Sequence, residues 1–234
     1  MMPEVKEKVT ITVIYDNNSW DNRLRAAWGF SCLIEKGEEK VLFDTGGDAS
    51  VLADNMEILG KATQSIDFIV LSHPHGDHTG GLRAILRKNK RLKLYLGASF
   101  SESFKVWAKE EGADVIEVYN AKEIYKDFYT TGELGHIEQS LIVNSERGLI
   151  VITGCAHPGI VNILNKVREK FEEKIHLVLG GFHLGGVDVS KDFRRLGVEK
   201  VAPCHCTGDR AMAFLENEYG KDFIRTGVGR VIEV

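Results

Sequence analysis

The sequence predicts an α/β protein in which helices cover the faces of mixed β-sheets. Three observations carry that expectation. Short apolar runs with strand-like alternation recur along the 234 residues, stretches of helical period separate many of them, and two tight turns join consecutive apolar runs directly. A purely parallel doubly wound sheet would have no use for such turns, because parallel strands need long crossover connections.

In chain order, the alternation Val9-Thr10-Ile11-Thr12-Val13 opens a strand expected over residues 9–15. Strands over 30–35 and 40–44 follow, joined by the turn Glu35-Lys36-Gly37-Glu38. A helical period spans 49–59 and stops at Gly60. A short apolar run then predicts a strand over 67–72, and the apolar spacing beyond it a helix over 82–90. A strand over 92–96, a helix over 100–111 ending at Gly112 and a strand over 115–119 come next. Two further strands, 140–144 and 149–153, flank the turn Ser145-Glu146-Arg147-Gly148. Helices over 160–171, 189–196 and 208–219 alternate with strands over 176–179 and 200–203, and short strands are expected over 224–226 and 230–234.

Only four prolines are present, no low-complexity linker interrupts the pattern and no repeat is detectable, so one domain over residues 1–234 is expected. A chain of this size buries roughly 70% of its unfolded surface and folds without staples. Hydrophobic residues make up 43% and charged residues 27%, and the net charge of -4 leaves no basic footprint for nucleic acid. Residues 1–9 carry alternating charges and no apolar stretch of signal-peptide type, and no run of about 18 apolar residues occurs, so neither export nor a membrane partner is expected. The reading is a cytoplasmic protein with a small-molecule substrate. In that compartment Cys32, Cys155, Cys204 and Cys206 are thiols, and no C-x-x-C pair points to a zinc ribbon or redox motif. Oligomeric state is left open.

The informative stretch is Ser72-His73-Pro74-His75-Gly76-Asp77-His78-Thr79-Gly80-Gly81-Leu82, which places four potential metal donors within six residues. Imidazole and carboxylate suit zinc, and also iron or manganese, and a cluster of this kind is hard to bury without a cation. On a regular helix His73 and His75 would diverge by about 200°. Pro74 and Gly76 break that regularity directly after a strand, so the segment is a loop whose side chains can converge. Asp77 and His78 stand at the expected start of the helix that continues through Leu82, where a carboxylate is favoured. An N-capping aspartate beside exposed histidines would explain only one of the four residues.

This H-x-H-x-D-H segment with its Thr-Gly-Gly-Leu continuation resembles the signature of the metallo-β-lactamase superfamily. Upstream, Val41-Leu42-Phe43-Asp44-Thr45-Gly46 is similar to that superfamily's first motif, which implies that Asp44 orients the histidine loop through hydrogen bonds. Downstream, Thr153-Gly154-Cys155-Ala156-His157-Pro158-Gly159, Gly180-Gly181-Phe182-His183-Leu184 and Pro203-Cys204-His205-Cys206-Thr207-Gly208 resemble a subgroup related to the archaeal dihydropterin-ribofuranosyl-aminobenzene phosphate synthase. The resemblance runs over nearly the whole chain. It implies an αββα sandwich of two facing mixed sheets with one or two divalent ions at one edge.

By the same resemblance, one ion takes His73, His75 and a later histidine, and the second takes Asp77, His78 and His205. His157 is preferred as the later histidine over His136, whose Gly135-His136 spacing before Ser140-Leu141 offers the alternative. Strand alternation sets Cys204 and Cys206 on the face opposite to His205, as core residues. Many superfamily members carry a bridging Asp where this chain has Cys155, which leaves a soft thiolate ligand, a pair bridged only by water, or one well-filled site with a weak second one. His183 is expected at the rim, as a general acid or a contact for a substrate phosphate, and Asp77 beside the attacking water. His176 is expected at the far end of the same strand. The segment Asp16-Asn17-Asn18 together with Trp20 and Trp28 would line a pocket for an aromatic substrate, or form a polar turn beside core aromatics.

A metal with an open position lowers the pKa of bound water to about 7 and polarises a carbonyl or phosphoryl oxygen, which implies hydrolysis of an ester, amide or phosphoester. The competing readings are a condensing, transferase-like synthase acting on a pterin-like or phosphorylated substrate, and a metal-binding protein without turnover. The chain has no room for a flavodoxin-like domain or a large nuclease insertion, and His75 stands where di-iron relatives usually carry Glu, so oxygen reduction and nucleic-acid cleavage are not expected.

Overall fold

The computed structural model describes residues 7–89 and 91–234. The reading of the N-terminal stretch therefore falls largely outside the described residues, as does Lys90, the last residue of the helix expected over 82–90. Strands β1 (Val9–Tyr15), β2 (Ser31–Lys36) and β3 (Glu39–Phe43) lead into helix α1 (Ala49–Ile58). Next come β4 (Phe68–Val70), the short helices α2 (Gly76–Thr79) and α3 (Leu82–Leu86), β5 (Leu92–Gly97), α4 (Glu102–Glu110) and β6 (Ala113–Val118). The second half holds β7 (Lys122–Tyr125), β8 (Phe128–Thr130), β9 (Leu141–Ser145), β10 (Gly148–Thr153) and α5 (Ile160–Lys170). It closes with β11 (Ile175–Gly181), α6 (Ser190–Arg195), β12 (Lys200–Cys204), α7 (Asp209–Tyr219) and β13 (Val231–Glu233).

The strands form a seven-stranded sheet in the order β13-β1-β2-β3-β4-β5-β6 and a six-stranded sheet in the order β12-β11-β10-β9-β8-β7. Both are mixed. In the first, β13 to β3 are antiparallel and β3 to β6 parallel; in the second, β10 to β12 are parallel and β7 to β10 antiparallel. The two expected tight turns are the β2–β3 and β9–β10 hairpins, with Gly37 at φ 61 and Gly148 at φ 123.

Alternation along each strand sorts its side chains between two layers. Ile11, Val13, Ile34, Val41 and Phe43 of the first sheet meet Val143, Ile150, Ile152, Leu177 and Leu179 of the second in a core that is wholly buried. The alternate residues face helices. Leu33, Leu42, Ile69 and Leu94 pack under Leu52, Met56, Ile85 and Phe100, while Leu149, Val151 and Val178 pack under Ile163, Leu164, Val167 and Phe193. The result is the expected αββα sandwich of two facing mixed sheets, the metallo-β-lactamase fold. No helix of the described residues is long and apolar enough to cross a membrane.

Three expectations change. The helix expected over 82–90 is α3 alone, separated from α2 by Gly80-Gly81, so Asp77 and His78 lie on a four-residue helix of their own. Residues 224–226 form no strand; Ile224 donates to the Val201 carbonyl and Phe223 makes a single bridge to Val201 at the β12 edge. Strands β7 and β8 escape the periodicity reading because Lys122-Glu123-Ile124-Tyr125 is polar and mostly exposed and Phe128-Tyr129-Thr130 is only three residues long.

Candidate metal centre

The carboxyl ends of β3, β4, β10, β11 and β12 all open onto one edge of the sandwich, and the loops leaving them carry the candidate donors. Four non-glycine residues in these loops adopt left-handed backbone, namely Asp44 (φ 55), Ala156 (φ 58), His183 (φ 46) and His205 (φ 50). Each costs about 1 kcal/mol or more, a concentration of strain that structures tolerate mainly at functional sites.

The histidine loop is held from behind. Asp44 is fully buried, and its Oδ1 accepts the Ser72 backbone N–H at 2.7 Å while Oδ2 accepts the Ser72 hydroxyl at 2.7 Å and faces His78 Nδ1 at 2.7 Å. The Thr45 backbone N–H and Oγ1 both donate to the His78 carbonyl, at 2.7 and 2.9 Å. Close approach explains two glycines: a Cβ on Gly81 would lie 2.1 Å from the Thr45 carbonyl oxygen, and one on Gly154 would lie 2.2 Å from Ser72 Oγ.

These contacts decide the tautomers. The only hydroxyl proton of Ser72 goes to Asp44, so Ser72 Oγ accepts from His73 Nδ1 at 2.8 Å and His73 Nε2 carries a bare lone pair. The His78 Nδ1–H goes to Asp44, the His157 Nδ1–H to Glu138 Oε2 at 2.8 Å and the His205 Nδ1–H to Asn17 Oδ1 at 3.1 Å. In each case the neutral ring presents Nε2 as its lone-pair nitrogen.

Two triads of donor atoms result, in each of which all atoms lie within 4.8 Å of one another: His73, His75 and His157; and Asp77, His78 and His205. Within the first, His73 Nε2 sits 3.0 Å from His75 Nδ1. Within the second, His78 Nε2 and His205 Nε2 are 3.2 Å apart, and Asp77 Oδ2 lies 3.7 and 3.4 Å from them. Imidazole lone pairs and a carboxylate converging in a largely buried space are stabilised by a cation between them, so this donor set fits divalent metal. Burial disfavours a proton on His73 and His205, whereas on His78 burial is outweighed by the Asp44 carboxylate, which raises that ring above the ordinary histidine range. Burial, with His78 and His157 adding to it, holds His73 well below the ordinary histidine range, and burial together with His78 holds His205 down to about 4.

His136 is exposed and enters no donor cluster among the described residues, whereas His157 does. His183 is exposed at the rim, its ring centroid 5.1 Å from that of His157. His176 lies far along β11 against Glu199, with Nδ1 2.6 Å from Oε2. Cys155 is 4% exposed, and its Sγ is 3.3 Å from His78 Nε2.

Two expectations need correction. Cys204 is buried in the core, but Cys206 clusters with Cys155 and His205, because β12 ends at Cys204 and the left-handed His205 cancels the alternation that would have turned Cys206 away. Of the segment Asp16-Asn17-Asn18, Asn18 lines a cavity with Trp20, whereas Asp16 and Asn17 hold the last donor loop. Asp16 Oδ2 accepts the His205 backbone N–H at 3.1 Å, and Asn17 holds both the His205 carbonyl and its ring. The two tryptophans part: Trp28 is 64% exposed with its ring 5.2 Å from that of His205, while Trp20 lies under the guanidinium of Arg230, whose Cζ is 4.1 Å from the Trp20 ring centroid, and lines a separate cavity of about 520 Å³.

Glu138 and Gln139 escaped the sequence reading. Glu138 Oε1 accepts the backbone N–H groups of Gly154, Cys155 and Ala156, and Oε2 accepts both the N–H and the ring of His157. Burial opposes the charge, but those bonds outweigh it and hold the carboxyl below its usual range. Gln139 donates from its backbone to Ser72 and from Nε2 to Leu71, so adjacent residues tie together the two donor loops. The available signal was a Glu-Gln-Ser polar triplet directly before the buried run Leu141-Ile142-Val143.

Residues 29–205 match the model of the family described as the metallo-beta-lactamase superfamily. The chain is 27% identical to the 7,8-dihydropterin-6-methyl-4-(beta-D-ribofuranosyl)-aminobenzene-5'-phosphate synthase of Methanocaldococcus jannaschii, over 95% of each chain. Among solved structures, a metal-dependent hydrolase of the beta-lactamase superfamily, Tm1679, superposes with a TM-score of 0.81 at 29% identity, covering 97% of this chain and 99% of that one. The metallo-beta-lactamase fold protein YhfI of Bacillus subtilis, at 15% identity and a TM-score of 0.71 over 98% of this chain and 100% of its own, shares the fold.

Proposed function

The chain belongs to the metallo-beta-lactamase superfamily, and from that premise we propose that it is a metal-dependent hydrolase acting on an ester, amide or phosphoester of a small molecule. The observation that supports this reading is the convergence of five imidazoles, four of them with the tautomer fixed by a partner at Nδ1, and one carboxylate in two triads at one sheet edge. His73, His75 and His157 would hold one divalent ion, and Asp77, His78 and His205 the second, with zinc first and manganese or iron as alternatives. Such ions supply an acidified water and polarise the scissile carbonyl or phosphoryl group.

The protein's own groups do the rest. Asp77 approaches both histidines of its triad through Oδ2, which leaves its other oxygen to take a proton from the attacking water. His183, at the open rim beside His157, is placed to protonate the leaving group or to hold a substrate phosphate. Glu138 and Asp44 fix the tautomers of His157 and His78 and hold their Nε2 atoms in register.

A second reading, condensation at the same centre, is favoured by Trp28, whose exposed indole offers a flat apolar face next to His205 and suits a pterin-like or aminobenzene-bearing substrate. The readings separate in one panel of assays. As a hydrolase, the purified protein loaded with zinc or manganese cleaves at least one generic phosphodiester, ester or lactone, with loss on His75→Ala; silence across the panel counts against hydrolysis. As a synthase, it forms product only when a pterin and an aminobenzene ribosyl phosphate are supplied together. Metal uptake with neither activity would indicate binding without turnover.

A further inference from the structure

We infer that Cys155 is a metal ligand, its thiolate shared between the two ions held by the triads. The inference rests on reading the histidine cluster as a metal centre. Cys155 Sγ shares donor clusters with His73 and His78, with His205 and Cys206, and with His157 and His183, so it reaches members of both triads. It lies 3.3 Å from His78 Nε2 in a pocket where the side chains of His78 and His205 are wholly buried and their Nε2 atoms face each other at 3.2 Å.

Chemistry selects sulfur as the shared donor. His78 also approaches both His73 and His205, but an imidazole Nε2 has one lone pair and serves one ion. A thiolate has several lone pairs and can join two. Asp77 clusters only with His78 and His205, on one side of the centre. The position of Cys155 is fixed, because Glu138 Oε1 holds its N–H at 2.9 Å and those of its neighbours Gly154 and Ala156 at 3.1 and 2.8 Å. Cys206 shares only the cluster with Cys155 and His205, and its thiol points to the Cys155 carbonyl at 3.8 Å. On ligation the Cys155 thiol gives up its proton to solvent and forms metal–sulfur bonds without change of oxidation state. A soft donor at the centre favours zinc, iron or cobalt over manganese or magnesium.

Cobalt(II) titration of the metal-free protein, followed by absorption spectroscopy, tests this. Two equivalents are expected to bind, with a near-ultraviolet thiolate-to-cobalt charge-transfer band that Cys155→Ser abolishes and Cys206→Ser retains. Cys155→Asp controls for folding: it should still take up two cobalt ions, show native circular dichroism and lack the band. Two bound ions without the band in the native chain, or a band that survives Cys155→Ser, would overturn the thiolate assignment while leaving the metal centre intact. Failure to bind cobalt at all would instead overturn the metal-centre reading on which it rests.

Discussion

Glu138 grips His157 twice: Oε2 accepts the His157 backbone N–H and its ring Nδ1–H, each at 2.8 Å. With Oε1 accepting three more amides, one fully buried carboxylate sets both the path of the 154–157 loop and the tautomer of its histidine. Glu138→Gln would turn an amide NH2 group toward that row of donors. The expected cost is about 3 kcal/mol or more, read from urea unfolding, together with roughly 10- to 100-fold weaker zinc binding. An unchanged unfolding midpoint would show that the loop does not depend on this carboxylate.

The two histidines that competed for one ligand position separate cleanly. His157→Ala should lower zinc content by about one ion per chain, whereas His136→Ala, at an exposed turn outside every donor cluster of the described residues, should leave it unchanged. Metal analysis of the dialysed variants checks this, and the reverse pattern would reassign the ligand.

Acid should destabilise the metal-free protein in a defined window. His205 is held down to about 4 by burial and by His78, against 6.5 for the free side chain. Between those values the unfolded chain binds the proton and the folded chain does not, so stability is fully present above pH 6.5 and is lost as pH falls toward 4. His205 alone contributes up to about 3 kcal/mol to that loss and His73 shifts in the same direction, while His78, raised by Asp44 against its burial, opposes them in part. Urea midpoints measured in chelator across this range should fall with pH; a flat profile would contradict the buried, neutral state of His205 and His73.

Trp28 should matter to substrate and not to folding. At 64% exposure its removal leaves little unburied apolar surface behind, so Trp28→Ala is expected to shift stability by no more than about 0.5 kcal/mol. If its indole stacks on substrate, KM should rise for aromatic esters and stay level for aliphatic ones of similar reactivity. An equal effect on both would remove it from the binding surface.

The architecture was legible because strand alternation, helical period and the two glycine-bearing turns act locally, and each needs only neighbouring residues to be recognised. The His73-to-His78 segment was legible for the same reason. What was not legible depends on contacts between distant parts of the chain. Glu138 looks like any polar residue before a strand until folding lays it under a loop that begins 16 residues later. Asn17 and His205 are 188 residues apart, and nothing local marks them as partners. Cys206 was misplaced because alternation was extended past the end of β12, through a left-handed residue that period-two reasoning does not anticipate.

The central claim is that two triads at one sheet edge hold metal ions. A crystal structure of the zinc-loaded protein, with anomalous difference maps on both sides of the zinc edge, tests it most directly. The account predicts two peaks, one among His73, His75 and His157 and one among Asp77, His78 and His205, with Cys155 between them. Peaks elsewhere, or a chain that takes up zinc with these histidines unligated, would contradict it.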